Sequence, residues 1–382
     1  MEDRIRALAD GILGHILSVL PTRDTIATSC LSKRWCPLWR SVPALDLHLD
    51  DQTYFQSGCI YSPFLNFAYA TLLSHNAQQP LMLVRLRINT RVGPNYIFPK
   101  AHFNILIKAI IERGIKNLHL EMPLTLPLPS SVFNCKTLVV LKLWQVGVDI
   151  LQSVDLPVLK ILHLDYVRVG GIGYISRILR GCPVLEELRA NRVNFGTIVG
   201  YQSMPKLVRA NIGTNFGVEF PLEVVKNFVL LILFILNYLQ VFYLKFLQFN
   251  HQHGFPLFPN LIHLELNFVT FIKWYVVFEL LIHCPNLQSF ELNKPMARIL
   301  PQDWACPRFV PECISSQLRR CTVMNYKGTE CELQFVKYIL HHARALQTMT
   351  IQHGLNMWEK FGMLQQLAMC PRGSATCKLL FK

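Results

Sequence analysis

Charge is scarce in this chain. Asp, Glu, Lys and Arg make up 16% of its 382 residues, against roughly 25% in an ordinary soluble domain, so little of the surface is built for strong solvation. No two cysteines form a Cys-x-x-Cys pair, no basic run exceeds two residues, and no Gly-Lys-Ser/Thr triplet occurs. The opening Met1-Glu2-Asp3-Arg4 is not followed by the apolar core of a signal peptide. Glycine (19) and proline (22) stay near average usage, which excludes collagen-like and low-complexity classes. The 51% hydrophobic content excludes intrinsic disorder, which requires low hydrophobicity and high charge.

The formal charge of +14 raises the question of nucleic acid, and its distribution answers it. Residues 1–50 carry six basic and six acidic groups, and the excess is spread thinly over the rest, with 14 basic against 8 acidic groups in 100–220. A phosphate backbone requires a basic stripe; a diffuse excess only attracts acidic partners over a distance. No nucleic-acid partner is expected. Twelve scattered cysteines read as small buried thiols in a reducing compartment, cytoplasmic or nuclear. Cys313, Cys321 and Cys331 with His341 and His342 match no common zinc-ligand spacing, so no metal is expected. Eighteen uncharged residues separate Lys226 from Lys245, the lower edge of a spanning length. Asn237 and Gln240 interrupt them and similar repeats lie on both sides, so stretch 228–249 reads as buried core or an unusual insertion, not a membrane span.

Near the N-terminus, Ile5, Leu8, Ile12, Leu13, Ile16, Leu17 and Leu20 recur at the spacing of one helix face. Pro21 stops this helix and Thr22 can cap the next, which runs through Ile26 and Leu31. Ser32 can cap a third carrying Trp35, Leu38 and Trp39. So small a unit cannot bury this apolar surface alone, and exposed apolar surface marks a partner site.

The stretch Leu8-Ala9-Asp10 … Ile12-Leu13 … Ile16-Leu17 … Leu20-Pro21-Thr22 … Leu31-Ser32-Lys33-Arg34-Trp35 … Leu38-Trp39 resembles an F-box. It resembles in particular the version in the plant family that joins an F-box, leucine-rich repeats and an FBD domain. The resemblance implies docking onto the Skp-family adaptor of an SCF ubiquitin ligase. The contact residues it implies are Leu8, Ile12, Leu13, Ile16, Leu17, Leu20 and Pro21, with Asp10, Leu31 and Leu38 beside them and Trp35 and Trp39 organising the fold. One departure stands out: Ala9 occupies a position where the family usually has proline, which pre-sets φ and presents a rigid apolar edge. Adaptor binding is expected to persist, weakened by about 1 kcal/mol.

The middle of the chain repeats a Leu-x-Leu core: Leu118-His119-Leu120, Leu141-Lys142-Leu143, Leu162-His163-Leu164, Leu188-Arg189-Ala190, Val208-Arg209-Ala210 and Leu264-Glu265-Leu266. Successive intervals from 118 to 208 are 23, 21, 26 and 20 residues, within the 20–29 of leucine-rich repeats. Each core reads as a short strand and segments such as 175–179 and 278–282 as short helices, ended by Cys182-Pro183 and Cys284-Pro285. Such units bury their apolar faces only by stacking into a curved solenoid. The gap from 208 to 264 leaves room for two more units, with Leu244-Lys245-Phe246 as a candidate core. Gly170-Gly171-Ile172-Gly173 lacks the third glycine of a phosphate-binding loop and reads as a turn. His119, His163 and His263 point outward from the strands, without the partners of a catalytic set.

At the C-terminus, Leu318, Cys321 and Val323 alternate with polar residues, and Thr329-Glu330-Cys331-Glu332 fits a capping box. Leu333, Val336, Ile339, Leu340 and Ala343 give the following helix its apolar face, and Leu346, Met349 and Ile351 suggest a returning strand. The segments Pro311-Glu312-Cys313, Tyr326-Lys327-Gly328-Thr329-Glu330, Val336-Lys337-Tyr338-Ile339-Leu340 and Cys370–Cys377 resemble the FBD domain of the same family. Because the resemblance covers nearly the whole chain, a whole protein is expected.

The resulting expectation is an α/β protein: a three-helix F-box (1–47), a linker and start of the array (48–109), leucine-rich repeats forming a curved parallel sheet with helices outside (110–300), and an FBD cap (301–382). It would be a non-catalytic, cofactor-free adaptor that binds a Skp-family protein and, through it, a cullin-RING ligase, and that holds a protein substrate of unknown identity. The alternatives are a repeat scaffold with a weakened F-box, motivated by Ala9, and a nucleotide-binding protein or enzyme, motivated by Gly170–Gly173.

Overall fold

The structure, a computed structural model, describes residues 5, 8–50, 61–89, 99–123, 127–148, 152–169, 174–193, 204–214, 229–235, 256–268, 274–294, 304, 307, 309–353 and 365–382. The chain divides into two compact units, 1–185 and 186–382.

The first unit opens with α1 (Asp10–Ser18), α2 (Thr22–Ala27) and α3 (Trp35–Leu38). The chain then alternates through β1 (Ala44–Asp50), α4 (Tyr61–Ser74), β2 (Leu83–Asn89), α5 (Lys100–Glu112) and β3 (Asn117–Glu121). After the two-residue β4 (Pro127–Leu128) come β5 (Val140–Trp144), β6 (Gly147–Val148), β7 (Ile161–Asp165), β8 (Arg168–Val169) and α6 (Tyr174–Arg180). Strands β1, β2, β3, β5 and β7 pair in parallel in that order, while β4, β6 and β8 form a minor ladder. Alternation explains the sheet: Leu45, Leu47, Val84, Leu86, Leu118, Leu120, Leu141, Leu143, Leu162 and Leu164 are all buried, and the residues between them fall on the opposite, open face. The 48–109 stretch thus holds, among its described residues, two helices and a strand of the sheet.

No long tether joins the N-terminal helices to the sheet. The Thr22 hydroxyl at the start of α2 accepts the Asp46 N–H of β1 (2.7 Å), satisfying a donor on the side of β1 away from β2. Buried His75, just after α4, donates from Nε2 to the Val42 carbonyl (2.7 Å) and accepts at Nδ1 from the Arg113 guanidinium (2.8 Å). Burial holds this imidazole below its ordinary pKa, as its acceptor role toward an arginine requires.

The second unit runs β9 (Glu187–Val193), β10 (Arg209–Thr214), β11 (Leu230–Ile235), β12 (His263–Phe268), α7 (Trp274–Ile282), β13 (Ser289–Asn293), α8 (Glu312–Ser316), β14 (Arg320–Tyr326), α9 (Glu330–His342), β15 (Thr348–His353) and β16 (Lys378–Phe381). These eight strands also pair in parallel in chain order. Leu230–Ile235 is therefore the strand within the 228–249 stretch, paired with β10 on one side and β12 on the other; residues 244–246 and Gly170–Gly173 lie outside the described residues. No helix among the described residues is long and apolar enough to cross a membrane.

The C-terminal segment forms the expected strand, capped helix and returning strand. The capping box closes at α9, with the Glu332 carboxylate accepting the Thr329 N–H (3.2 Å) and also that of Lys327 (2.9 Å). Glu332 is buried and in ionic contact with Lys294, equally buried. Burial pulls the Lys294 ammonium down to about 7, with Lys327 adding to the effect. Aromatic rings join α7 to α9, Trp274 to Phe335 at 5.0 Å and Phe278 to Tyr338 at 5.2 Å. The tail docks on the end of α9: the Gly373 N–H donates to Leu340 O (2.8 Å) and the Ser374 hydroxyl to Leu346 O (2.7 Å).

Candidate docking site

Helix α1 begins after Ala9, whose φ of −65° and ψ of 149° set an extended N-cap. Arg34 clamps this entrance: its Nε donates to the Asp10 carboxylate at 2.8 Å, and its guanidinium also reaches the Leu8 carbonyl. The Lys33-Arg34-Trp35 segment, 24 residues on, thereby fixes where α1 starts. Asp10 in the first turn also suits the helix dipole.

The apolar stripe of α1 is wider than one packing face, and the fold splits it. Leu13 (0% exposed) and Leu17 (1%) are core residues, as is Trp39 (7%). In the free chain they lie beneath the surface of the helical module and do not form it. Ile12 (51%), Ile16 (43%) and Leu31 (67%) remain exposed. Pro21 and Asp10 are exposed too, and Leu8, Leu20, Trp35 and Leu38 are half-buried. Val19 (70%) and Ile5 (54%) join the exposed set. Val19 was missed because the stripe was followed through Leu17 to Leu20, and Val19 falls just past the end of α1, as its C-cap. Its position one turn beyond Ile16 was the available signal. Complete burial of an aliphatic side chain is worth about 1.5–3 kcal/mol. Covering four that are already about half-buried would return on the order of 4 kcal/mol, enough to define an interface core.

The open face of the first unit's sheet is polar. Register places Asp46, Arg85, His119, Lys142 and His163 side by side on β1, β2, β3, β5 and β7. The next row of that face holds His48, Arg87, Glu121, Trp144 and Asp165. Asp46 accepts both Arg87 hydrogen bonds (2.8 and 2.9 Å) and lies 3.7 Å from Arg85. His119 is held down to about 4, chiefly by burial and then by Lys142, Arg85 and His163, with Asp46 opposing. Trp144 (38% exposed) and Tyr166 (36%) meet edge to face at 6.1 Å. Gln145 and Tyr166, the residues just after β5 and β7, have left-handed backbones, φ +54° and +56°.

The ten described cysteines are free thiols. Burial drives Cys182 and Cys313 up to about 12, which makes them poor nucleophiles at neutral pH. Cys321 lies inside β14 and the Cys313 thiol donates to Leu281 O (3.2 Å). Among the described residues no three His, Cys, Asp or Glu side chains are grouped to hold a metal ion.

Two family models match the chain. One, described as FBD, covers residues 307–351. The other, described as the LRR repeats of FBD-associated F-box protein At5g56370, covers residues 105–215. An F-box/FBD/LRR-repeat protein of Arabidopsis thaliana is 29% identical over 438 aligned positions, spanning 99% of this chain and 100% of its own length. An FBD-associated F-box protein of the same plant is 28% identical, spanning 99% and 100%. An F-box/LRR-repeat protein, also from Arabidopsis thaliana, is 36% identical over 58% of this chain and 47% of that protein. The F-box reading of the N-terminal helices rests on these alignments and on the residues themselves, the repeat and FBD readings on the models as well. With its repeats and C-terminal segment matched and its relatives aligned from end to end, the chain is similar along its whole length to the plant F-box/FBD/leucine-rich-repeat proteins.

Proposed function

We propose that this protein is the substrate-recognition adaptor of an SCF-type ubiquitin ligase, working in the cytoplasm or nucleus. The observation that carries the reading is the exposed aliphatic row Ile12, Ile16 and Val19 along α1 and its C-cap, with Leu31 exposed on the same helical module, whose own core is already filled by Leu13, Leu17 and Trp39. A Skp-family adaptor would cover that row, with Leu8, Leu20 and Pro21 at its margin, Asp10 and Arg34 holding α1 in place, and Trp35 and Leu38 backing it. The repeats would hold a protein substrate. The protein itself would supply no catalytic group: bringing the substrate to a ubiquitin-charged enzyme raises the local concentration of the reactants. In this reading residues 1–47 are the F-box, and the FBD segment from 301 closes the array.

Capture by a purified Skp-family adaptor tests the proposal. Ile16→Asp removes a half-exposed aliphatic contact and places a charge where the partner excludes water, so affinity should fall at least about 100-fold. The unfolding midpoint should fall only by the equivalent of about 1–2 kcal/mol, because Ile16 is 43% exposed, far short of unfolding the chain. Wild-type protein that is not captured at micromolar adaptor would instead leave a repeat scaffold outside ubiquitination.

A further inference from the structure

We propose that the cleft between α9 and the helical turn 365–368 is a binding site for a small, flat aromatic molecule that carries one carboxylate. The cleft lies in the second unit, on the helix side of its sheet. The proposal goes beyond the ligase reading and does not rest on it.

The cleft encloses about 580 Å³, within the range of small-molecule sites and more than one amino-acid side chain fills. Its floor is one stripe of α9: Gln334, Lys337, Tyr338 and His341 follow the i, i+3, i+4, i+7 spacing of a single helix face, and His342 extends it. From Gln334 to His342 the helix rises about 12 Å.

The aromatic side of the cleft is continuous. Trp304 meets Tyr338 at 6.4 Å, Tyr338 meets His342 at 4.5 Å, and His342 meets His341 at 4.7 Å. This wall is preformed, because Trp304 is also held by Trp274 and Phe278 of α7, both at 5.6 Å. Burial, and then the neighbouring His341, hold the His342 imidazole below its ordinary pKa, so at neutral pH it acts as one more uncharged ring. The other side comes from the tail, with Met369, Cys370 and Pro371. The Cys370 thiol donates to Gln366 O (3.1 Å) and burial raises its pKa, which makes it a packing surface and a poor nucleophile. Met369 is 81% exposed, a large apolar side chain left in water at the cleft. A thioether on one side and ring faces on the other both attract an aromatic group placed between them.

Charge chooses the substituent. Lys337 is the one full charge among the described residues lining the cleft, and none of them is Asp or Glu. It forms no ion pair among the described residues. The acids of the same helix are engaged elsewhere: Glu330 accepts from the Gln334 amide (2.6 Å), and Glu332 is held by Lys294 and the capping box. Arg372, beside the cleft, is turned to Cys377 O (2.8 Å). A single unpaired ammonium suits a single negative charge, whereas a phosphate favours an arginine fork. Helix α9 ends at His342, so the negative end of its dipole lies at one end of the cleft and opposes a second negative charge.

The test is calorimetric titration of the full chain with naphthoate, a flat two-ring carboxylate. Its dissociation constant should be on the order of 100 µM. Naphthamide, which lacks the charge, and decalin carboxylate, which lacks the aromatic rings, should each bind at least about fivefold more weakly. Lys337→Gln should weaken naphthoate several-fold and leave naphthamide unchanged. Met369→Asp, which places a like charge at an exposed position, should abolish naphthoate binding without moving the unfolding midpoint. Trp304→Leu should also abolish it, but its contacts with α7 make Met369→Asp the decisive variant. No binding of naphthoate at millimolar concentration would overturn the proposal, as would equal binding of naphthamide or decalin carboxylate. So would tighter binding of naphthyl phosphate, of naphthylmethylammonium or of a blocked Phe-Glu dipeptide. Naphthoate binding that survives both Lys337→Gln and Met369→Asp lies elsewhere on the chain and refutes the site.

Discussion

Replacing Ala9 with proline should strengthen both the fold of the N-terminal module and its grip on the adaptor. The backbone already has the required shape: φ is −65°, the value a pyrrolidine ring imposes. Among the described residues the Ala9 N–H donates no hydrogen bond, so none is lost. Its carbonyl goes on accepting from Ile12 (3.0 Å) and Leu13 (3.1 Å). What changes is the unfolded chain, which loses conformational freedom worth about 0.4–1 kcal/mol. If the entrance of α1 also tightens on docking, the same restriction favours the complex, and about 0.4–1 kcal/mol corresponds to an affinity gain of roughly two- to fivefold. Calorimetric titration of wild type and Ala9→Pro with a purified Skp-family adaptor measures the second effect, and urea unfolding the first. Ala9→Gly should move both in the opposite direction. A more stable Ala9→Pro protein with unchanged affinity would refute the idea that this entrance is ordered by binding; a less stable one would refute the backbone argument.

Three further outcomes follow from buried contacts. Lys294→Met leaves Glu332 buried without its cation and should cost about 3 kcal/mol; adding Glu332→Gln, which can still accept the Lys327 and Thr329 N–H groups, should recover part of that loss in urea unfolding, and additive losses would argue against the pair. Gly373→Ala drives a Cβ into the His341 carbonyl oxygen, so the tail must shift, and thermal unfolding should show a loss of about 1–3 kcal/mol. His75 titrates below its ordinary 6.5 in the fold because it is buried. The stability it contributes is complete above that pH and disappears as pH falls toward the lowered value; urea midpoints at pH 7.5 and 5 should differ more in wild type than in His75→Gln.

Much of this architecture could be read from residue order. Leu118, Leu141 and Leu162 mark strands because a period-two pattern at 20–29-residue intervals admits few other folds, and Thr329 with Glu332 marked a helix start by a contact only three residues long. The legible features are those set by local spacing. Strands β1 and β2 escaped although Leu45, Leu47, Leu86 and Ile88 alternate just as clearly, because their starts lie 39 residues apart, beyond the interval that identifies a repeat. The split of α1 into Leu13 and Leu17 inside and Ile12 and Ile16 outside was equally hidden. A helix stripe shows that a face is apolar, not how much of it the module's own small core can cover. The link from Val42 through His75 to Arg113 joins residues 33 and 38 positions apart, and nothing local announces it.

That link, with the Thr22–Asp46 hydrogen bond, has a mechanical consequence. Two short anchors pin the N-terminal helices to the first strands within one compact unit, which bears on the proposed ligase role. A hinge at this place would let a held protein sample many orientations and offer many lysines. A welded joint presents a narrow arc, so the acceptor lysine would be chosen by where it falls on that arc more than by the sequence around it. Lengthening the chain between Val42 and Ala44 by a few glycines would then blur which lysine is modified before it changed which protein is held.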